Sequence, residues 1–203
     1  REIKRRIRSV SNTKQITRAM KMVAAAKLRR VLDKTIFLRP YTAGVTRLKN
    51  HLLEQAPDLA RLYFGDERPE KKIGILFFTG DRGLCGSFNV NLAKEFEKFV
   101  AAHPDSTFSI FTFGKKGKSY IDKRRRKAQD LFEIAGHLDD LINRVQYPVA
   151  LELTQKALGA FIDKKIDSFY VVFSTYINAM SQRPHAVKLW PPEYDPPQEQ
   201  DEA

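Results

Sequence analysis

Cysteine is almost missing from this 203-residue chain: Cys85 stands alone, which excludes an internal disulfide and a cysteine-rich zinc site. A reducing compartment is the natural fit. Long apolar runs are missing as well. Nothing approaches about eighteen consecutive apolar residues, and the N-terminus lacks the apolar core of a signal peptide, so neither a membrane span nor secretion is expected. No pair of His, Cys or carboxylate residues has a ligand spacing such as H-x-x-x-H or C-x-x-C, and no metal or cofactor is expected. The chain opens on Arg1 rather than Met, so a few starting residues read as processed or missing. Glycine and proline are absent from Arg1 to Arg39. Without either punctuator, that stretch predicts one long helix.

Charge fills the gap. Residues 1–49 hold fifteen Lys or Arg against Glu2 and Asp33, a local net charge of +13, while the whole chain is +12. The remaining residues therefore sum to about −1, and the basicity belongs to one element rather than to the whole surface. A 39-residue helix is about 58 Å long, against a diameter of roughly 40–45 Å for a compact domain of this size, so the helix should project. Its apolar residues are sparse. Ile3, Ile7 and Val10 form a short stripe, a polar run from Ser11 to Gln15 interrupts it, and Ile16, Met20 and Val23 resume it on a rotated face. Such a seam suits a coiled coil, and Ala24, Ala25 and Ala26 leave room for a second backbone. The plainer reading of a charge run is a solvated helix lying along its own domain; length and the uneven seam favour an arm.

After Pro40 and Gly44 a second helical stretch, 45–55, is expected, ending near Pro57; residues 57–72 read as a connector. The periodicity then changes. Ile73 to Thr79 is a continuous apolar run that predicts a strand buried on both faces, followed by a turn from Gly80 to Gly86 and a helix from Val90 to Ala102. Ser106 to Phe113 predicts a second strand, Gly114 to Lys127 a turn and a short basic helix. Leu138 to Lys165 reads as mainly helical with a kink at Pro148, Ser168 to Tyr176 as a third strand, and Ala186 to Trp190 as a candidate edge strand beside it. This alternation implies an α/β fold, with a long helical coiled-coil arm at residues 1–56 and a Rossmann-like, mostly parallel domain at 73–190. Residues 191–203, with four prolines, five acids and no base, read as a disordered tail.

Chemistry is harder to find. Gly80-Asp81-Arg82-Gly83-Leu84-Cys85-Gly86 sits where an α/β protein cradles phosphate, but it reads G-x-x-G-x-x-G, lacks a Gly-Lys-Ser/Thr ending, and places an acid at the strand end. A tight structural turn that presents Arg82 is the better reading. Cys85 next to a helix N-terminus and Arg82 could be a nucleophile, yet none of His51, His103, His137 and His185 lies in an apparent strand-end site, and a buried or half-buried structural thiol is expected. A second basic cluster spans Lys115 to Lys127, with Tyr120 inside it. Together with the arm it supports the main alternative, a nucleic-acid-binding module. Against that stands an arm without an aromatic before Phe37.

The stretch Thr13 to Arg30, TKQITRAMKMVAAAKLRR, closely resembles the N-terminal helix of the gamma subunit of F-type ATP synthases, and Asp81-Arg-Gly-Leu-Cys-Gly86 after a buried strand resembles that family's second signature. The resemblance covers essentially the whole chain. It implies a non-catalytic central-stalk rotor subunit, whose N-terminal helix pairs with a C-terminal one inside a ring of alpha and beta subunits. The α/β domain would be a foot on the membrane c-ring, holding the epsilon subunit (delta in mitochondria), with no nucleic acid as a partner. Met20, Lys21, Met22 and Val23 would lie where the shaft turns against beta, Arg5, Arg8 and Arg82 would face acidic loops, and Gly80, Asp81, Gly83, Cys85 and Gly86 would build the turn. The location implied is peripheral, on the cytoplasmic face of a bacterial inner membrane or the matrix face of a mitochondrial one. The family's second long helix has no counterpart in these residues, so the chain is expected to be truncated, proteolysed or otherwise without its last part. A chloroplast-type inserted cysteine pair is also absent, which favours a bacterial or mitochondrial relative.

Overall fold

The computed structural model describes residues 1–58, 68–140, 146–178 and 180–193. They fall into two compact units, Arg1–Gln55 and Ala56–Tyr194, each taken by itself below. Most of the expected connector, residues 59–67, and most of the expected tail, residues 194–203, lie outside the described residues.

The first unit is a single helix, α1 (Glu2–Gln55), 54 residues and about 81 Å long. The expected break at Pro40 and Gly44 does not occur; Pro40 lies inside the helix. Proline forfeits one backbone bond and crowds the preceding turn. The Thr42 hydroxyl donates to the carbonyls of Arg39 (2.9 Å) and Leu38 (3.3 Å), beside the proline rather than at the Ile36 carbonyl that its missing N–H would have met. Thr13, Thr17 and Thr35 likewise donate to carbonyls four residues back, at 3.0, 2.8 and 2.9 Å, so their hydroxyls find partners within the helix.

The second unit is an α/β sheet. In chain order it comprises β1 (Lys72–Phe78), α2 (Phe88–Ala102), β2 (Thr107–Phe113), α3 (Lys115–Arg125), β3 (Phe132–Leu138), α4 (Tyr147–Ile162), β4 (Ser168–Tyr176) and β5 (Gln182–Trp190). The strand order is β3-β2-β1-β4-β5, parallel except for β5, which runs antiparallel to β4. The chain thus winds outward from β1 to β3 and then returns to the other side of β1, as in doubly wound folds.

Alternation along β1 decides where the core lies. Ile73, Ile75 and Phe77 are fully buried and meet Phe108 and Ile110 of β2, Phe132 of β3 and Val172 of β4. Leu92, Phe96, Phe99 and Val100 of α2 and Ile121 of α3 close this face. Phe77 and Phe96 have ring centroids 5.0 Å apart. Burial of each such side chain is worth about 1.5–3 kcal/mol. The opposite face is less covered than expected: Leu76 and Phe78 of β1 are half-buried, and Phe78 stacks on Phe113 at 4.1 Å.

Two further expectations are corrected. Phe132–Leu138 is a strand that no apolar run announced, and Leu138 to Gln146 is not helical where described; α4 starts at Tyr147, with Pro148 at its first turn rather than at a kink. Proline suits that position because the first turn's N–H groups have no intrahelical partner. The expected edge strand at 186–190 is present beside β4, and it begins earlier, at Gln182.

Candidate functional site

On α1 every residue from Arg1 to Val31 is exposed, including Arg5, Arg8, Met20, Lys21, Met22 and Val23. Spacings of four and three residues put Ile16, Met20 and Val23 on one face; Met22 and Lys21 point away from it. Met20 is 49% exposed and Ile3, at the start of the other stripe, 74%. A helix that leaves its apolar seam in solvent forgoes the burial that normally sustains helices in proteins. The run of exposed apolar side chains on a basic rod therefore marks an interaction surface.

The second unit contributes the turn from Gly80 to Gly86, and hydrogen bonds explain its shape. The N–H of Gly80 donates to the Asn89 side chain of α2 at 2.9 Å, and the Asn89 amide donates to the Arg82 carbonyl (3.4 Å) and the Cys85 sulfur (3.1 Å). The Asp81 carboxylate accepts the N–H of Lys115 at 3.1 Å. The acid at the strand end therefore caps α3. Thr79 completes the lock, donating through Oγ1 to the Phe113 carbonyl (2.9 Å) and accepting the N–H of Gly117 (2.7 Å). Gly114 has φ +87°, and a Cβ there would run into the Thr79 backbone.

This lock presents Arg82, Leu84 and Cys85 to solvent. Arg82 has no ion pair among the described residues. Cys85 is exposed, contrary to the expected packed thiol, because Leu84 (φ +61°) and Gly86 (φ +58°) turn the chain outward on either side of it. His103, His137 and His185 bond to other partners, so Cys85 gains no base from them. Sequence reasoning missed Leu84. An apolar side chain that is 94% exposed on a left-handed backbone residue is a strained presentation, and nothing in the residue type signals it. Gly83 has no left-handed φ, and a Cβ there would meet nothing closer than 4.0 Å, so the turn does not demand glycine at that position.

Two polar clusters stiffen the unit without forming a reactive centre. The Glu97 carboxylate of α2 accepts two hydrogen bonds from Arg124 of α3, at 2.8 and 2.9 Å, and one from the Tyr120 hydroxyl. The Arg124 bonds hold the Glu97 carboxyl below its ordinary range against opposing burial, whereas burial and then Glu97 push the Tyr120 phenol up. In the other cluster, Glu70 accepts from Tyr170 at 3.0 Å and pairs with Lys188 at 3.0 Å and His103 at 3.6 Å. Among the described residues no group of three or more His, Cys, Asp or Glu could hold a metal ion, and no helix is long and apolar enough to cross a membrane.

Known proteins share this plan. A family model described as ATP synthase matches residues 1–203. The ATP synthase gamma chain of Desulfitobacterium hafniense is 35% identical over 191 residues, covering 94% of this chain and 65% of the relative. That of Solibacter usitatus is 37% identical over 198 residues, covering 95% and 66%. The chain thus spans just under two thirds of the length of these relatives. A chain in the cryo-EM structure of the Tetrahymena thermophila mitochondrial ATP synthase central stalk and c-ring superposes with TM-score 0.65 at 25% identity, covering 87% of this chain and 72% of that one. With the family model matched from end to end, the chain belongs to the ATP synthase gamma-chain family.

Proposed function

We propose that this chain is the central-stalk rotor subunit of an F-type ATP synthase. It would couple proton translocation through the membrane rotor to ATP synthesis or hydrolysis in a ring of alpha and beta subunits, without catalysing either. The observation that carries the reading is α1: 54 residues of unbroken, basic helix with an exposed, interrupted apolar seam. Residues 1–56 would supply half of an antiparallel coiled coil. Residues 73–190 would be the foot, resting on the c-ring and holding epsilon (delta in mitochondria), with 57–72 as connector and 191–203 as a tail. The complex would sit peripherally on the cytoplasmic face of a bacterial inner membrane or on a mitochondrial matrix face.

Met20, Lys21, Met22 and Val23 are assigned to the bearing surface, and Arg5, Arg8 and Arg82 to acidic loops of the ring. A shaft must not hold one ring position too tightly. Exposed charges screened over about 8 Å at physiological salt give broad, shallow attraction, which suits a surface that passes successive acidic partners. Gly80, Asp81, Gly83, Cys85 and Gly86 serve the turn that presents Arg82.

Co-purification tests the proposal. The tagged full-length gene product, expressed with its genomic alpha and beta partners, should elute with both as one complex that hydrolyses ATP. Recovery of an alpha–beta assembly that excludes the chain would refute the rotor role.

A further inference from the structure

The basic helix α3 is turned in a way the shaft reading does not use. Of its charged residues only Arg124 points inward, to Glu97, while Gly117 and Ile121 are buried against the sheet. That anchoring fixes the helix rotation and sends every other base of residues 115–127 outward. Lys118, Lys123 and Arg126 then share an open groove of about 440 Å³ with Lys115, Ser119 and Asp122, whose far wall is His137 and Asp139 at the end of β3. Lys115 pairs with Asp139 at 3.6 Å. Lys118, Lys123 and Arg126 have no ion pair among the described residues. His137 holds Nδ1 against the Thr112 hydroxyl at 3.0 Å, which leaves Nε2 as the ring atom available to the groove.

We propose that this groove binds a multiply charged phosphate anion. Four cationic side chains face two carboxylates, one of them already engaged by Lys115, so an anion would meet a net positive wall. Lysine ammonium and arginine guanidinium groups are the usual donors to phosphate oxygens, and such charge-assisted bonds are roughly twice as strong as neutral ones. Without a ligand, like charges three residues apart on one helix face, as at Lys115 and Lys118, repel each other. One end of the groove, at Lys115, His137 and Asp139, lies at the carboxyl ends of β2 and β3, the side of an open parallel sheet where ligands bind. The helix N-terminus plays no part, since Asp81 already occupies it. The anion's source is either a soluble phosphate compound or a lipid headgroup.

Pyrophosphate serves as the soluble probe, followed by equilibrium dialysis with the full chain at low ionic strength. Vesicles of phosphatidylcholine with and without phosphatidic acid, whose phosphate monoester carries a second ionisable oxygen, serve as the lipid probe, followed by flotation. The double variant K118E/R126E should weaken pyrophosphate binding by roughly tenfold or more. An arm variant with the same change in net charge, K4E/R6E, should leave it within about twofold, which separates the groove from general attraction to a basic chain. K118Q/R126Q, checked for native circular dichroism, covers the case of a misfolded reversal and should lose most of the binding too. Flotation that needs phosphatidic acid and Lys118 and Arg126, without pyrophosphate binding, would assign the groove to lipid. Equal losses in the arm and groove variants, or binding of neither probe, would overturn the site.

Discussion

The carboxylate of Asp81 accepts the backbone N–H of Lys115 at 3.1 Å, so the turn after β1 caps a helix that begins 34 residues later. Asp81→Ala removes that cap and should cost about 0.5–2 kcal/mol. Urea denaturation of the two proteins, followed at the second unit, would measure it. An unchanged midpoint would mean that the bond adds nothing to stability.

Thr79 and Gly114 form the same lock from the other side. Gly114→Ala must adopt a left-handed φ and collide with the Thr79 backbone, so it should lose more than about 1 kcal/mol. Gly83→Ala has room and an ordinary φ, and should stay within about 0.5 kcal/mol of the parent. Comparable losses at the two positions would contradict the geometry described.

Stability should fall at both ends of the pH scale, for different groups. Glu97 titrates lower in the fold than unfolded, because Arg124 favours its carboxylate; its contribution is present above about pH 4.3 and disappears as pH falls through the lowered value. Tyr120 and Tyr170 titrate higher in the fold, chiefly through burial, with Glu97 and Glu70 adding to it. Lys188 also titrates higher: burial opposes its charge, but Glu193 and Glu70 outweigh that. These three contribute fully below about pH 10 and are lost as pH rises further. Glu97→Gln should therefore be less stable than the parent at pH 7, with the gap closing in acid. A gap that stays constant down to pH 2 would exclude the Arg124 pairing as its cause.

Under the proposed rotor role, Met20→Lys adds a charge to the assigned bearing surface, and one new exposed ion pair is worth about 0.2–1 kcal/mol. In the assembled enzyme it should lower proton pumping per ATP hydrolysed, measured by fluorescence quenching in vesicles. Arg82→Ala should weaken assembly or coupling by a similar amount. Full pumping in both variants would remove them from the surface that meets the ring.

Pro40 interrupts the hydrogen-bond ladder of α1, at a cost of up to about 3 kcal/mol for an interior proline. Pro40→Ala should raise the helical circular dichroism signal and the melting temperature of the arm. A lower melting temperature would mean that proline suits this helix better than alanine does.

Much of this was legible beforehand, because some signals are local. The strand at Ile73 to Phe78 is an apolar run that needs no partner to be recognised, and the missing glycine and proline before Pro40 dictate helix by propensity alone. The turn from Gly80 to Gly86 announced itself through its glycines. Phe132–Leu138 did not, since Glu133, Ala135 and Gly136 carry little strand preference, and the segment is a strand because β2 offers it a ladder. The role of Asp81 was likewise out of reach: its partner is distant in sequence, and an acid at a strand end looks the same whether it caps a helix or repels a ligand.

The amino-acid sequence by itself determined a long basic helix, a buried first strand and a neutral α/β remainder, because propensity, periodicity and charge are summed over neighbouring residues. Tertiary structure alone decided that β3 joins the sheet, that Asp81 closes α3, and that Arg124 turns inward while Lys118, Lys123 and Arg126 face out. Those outcomes rest on hydrogen bonds and packing between residues far apart in the chain. Side chains of one chemical type are told apart only by which of them finds a buried partner.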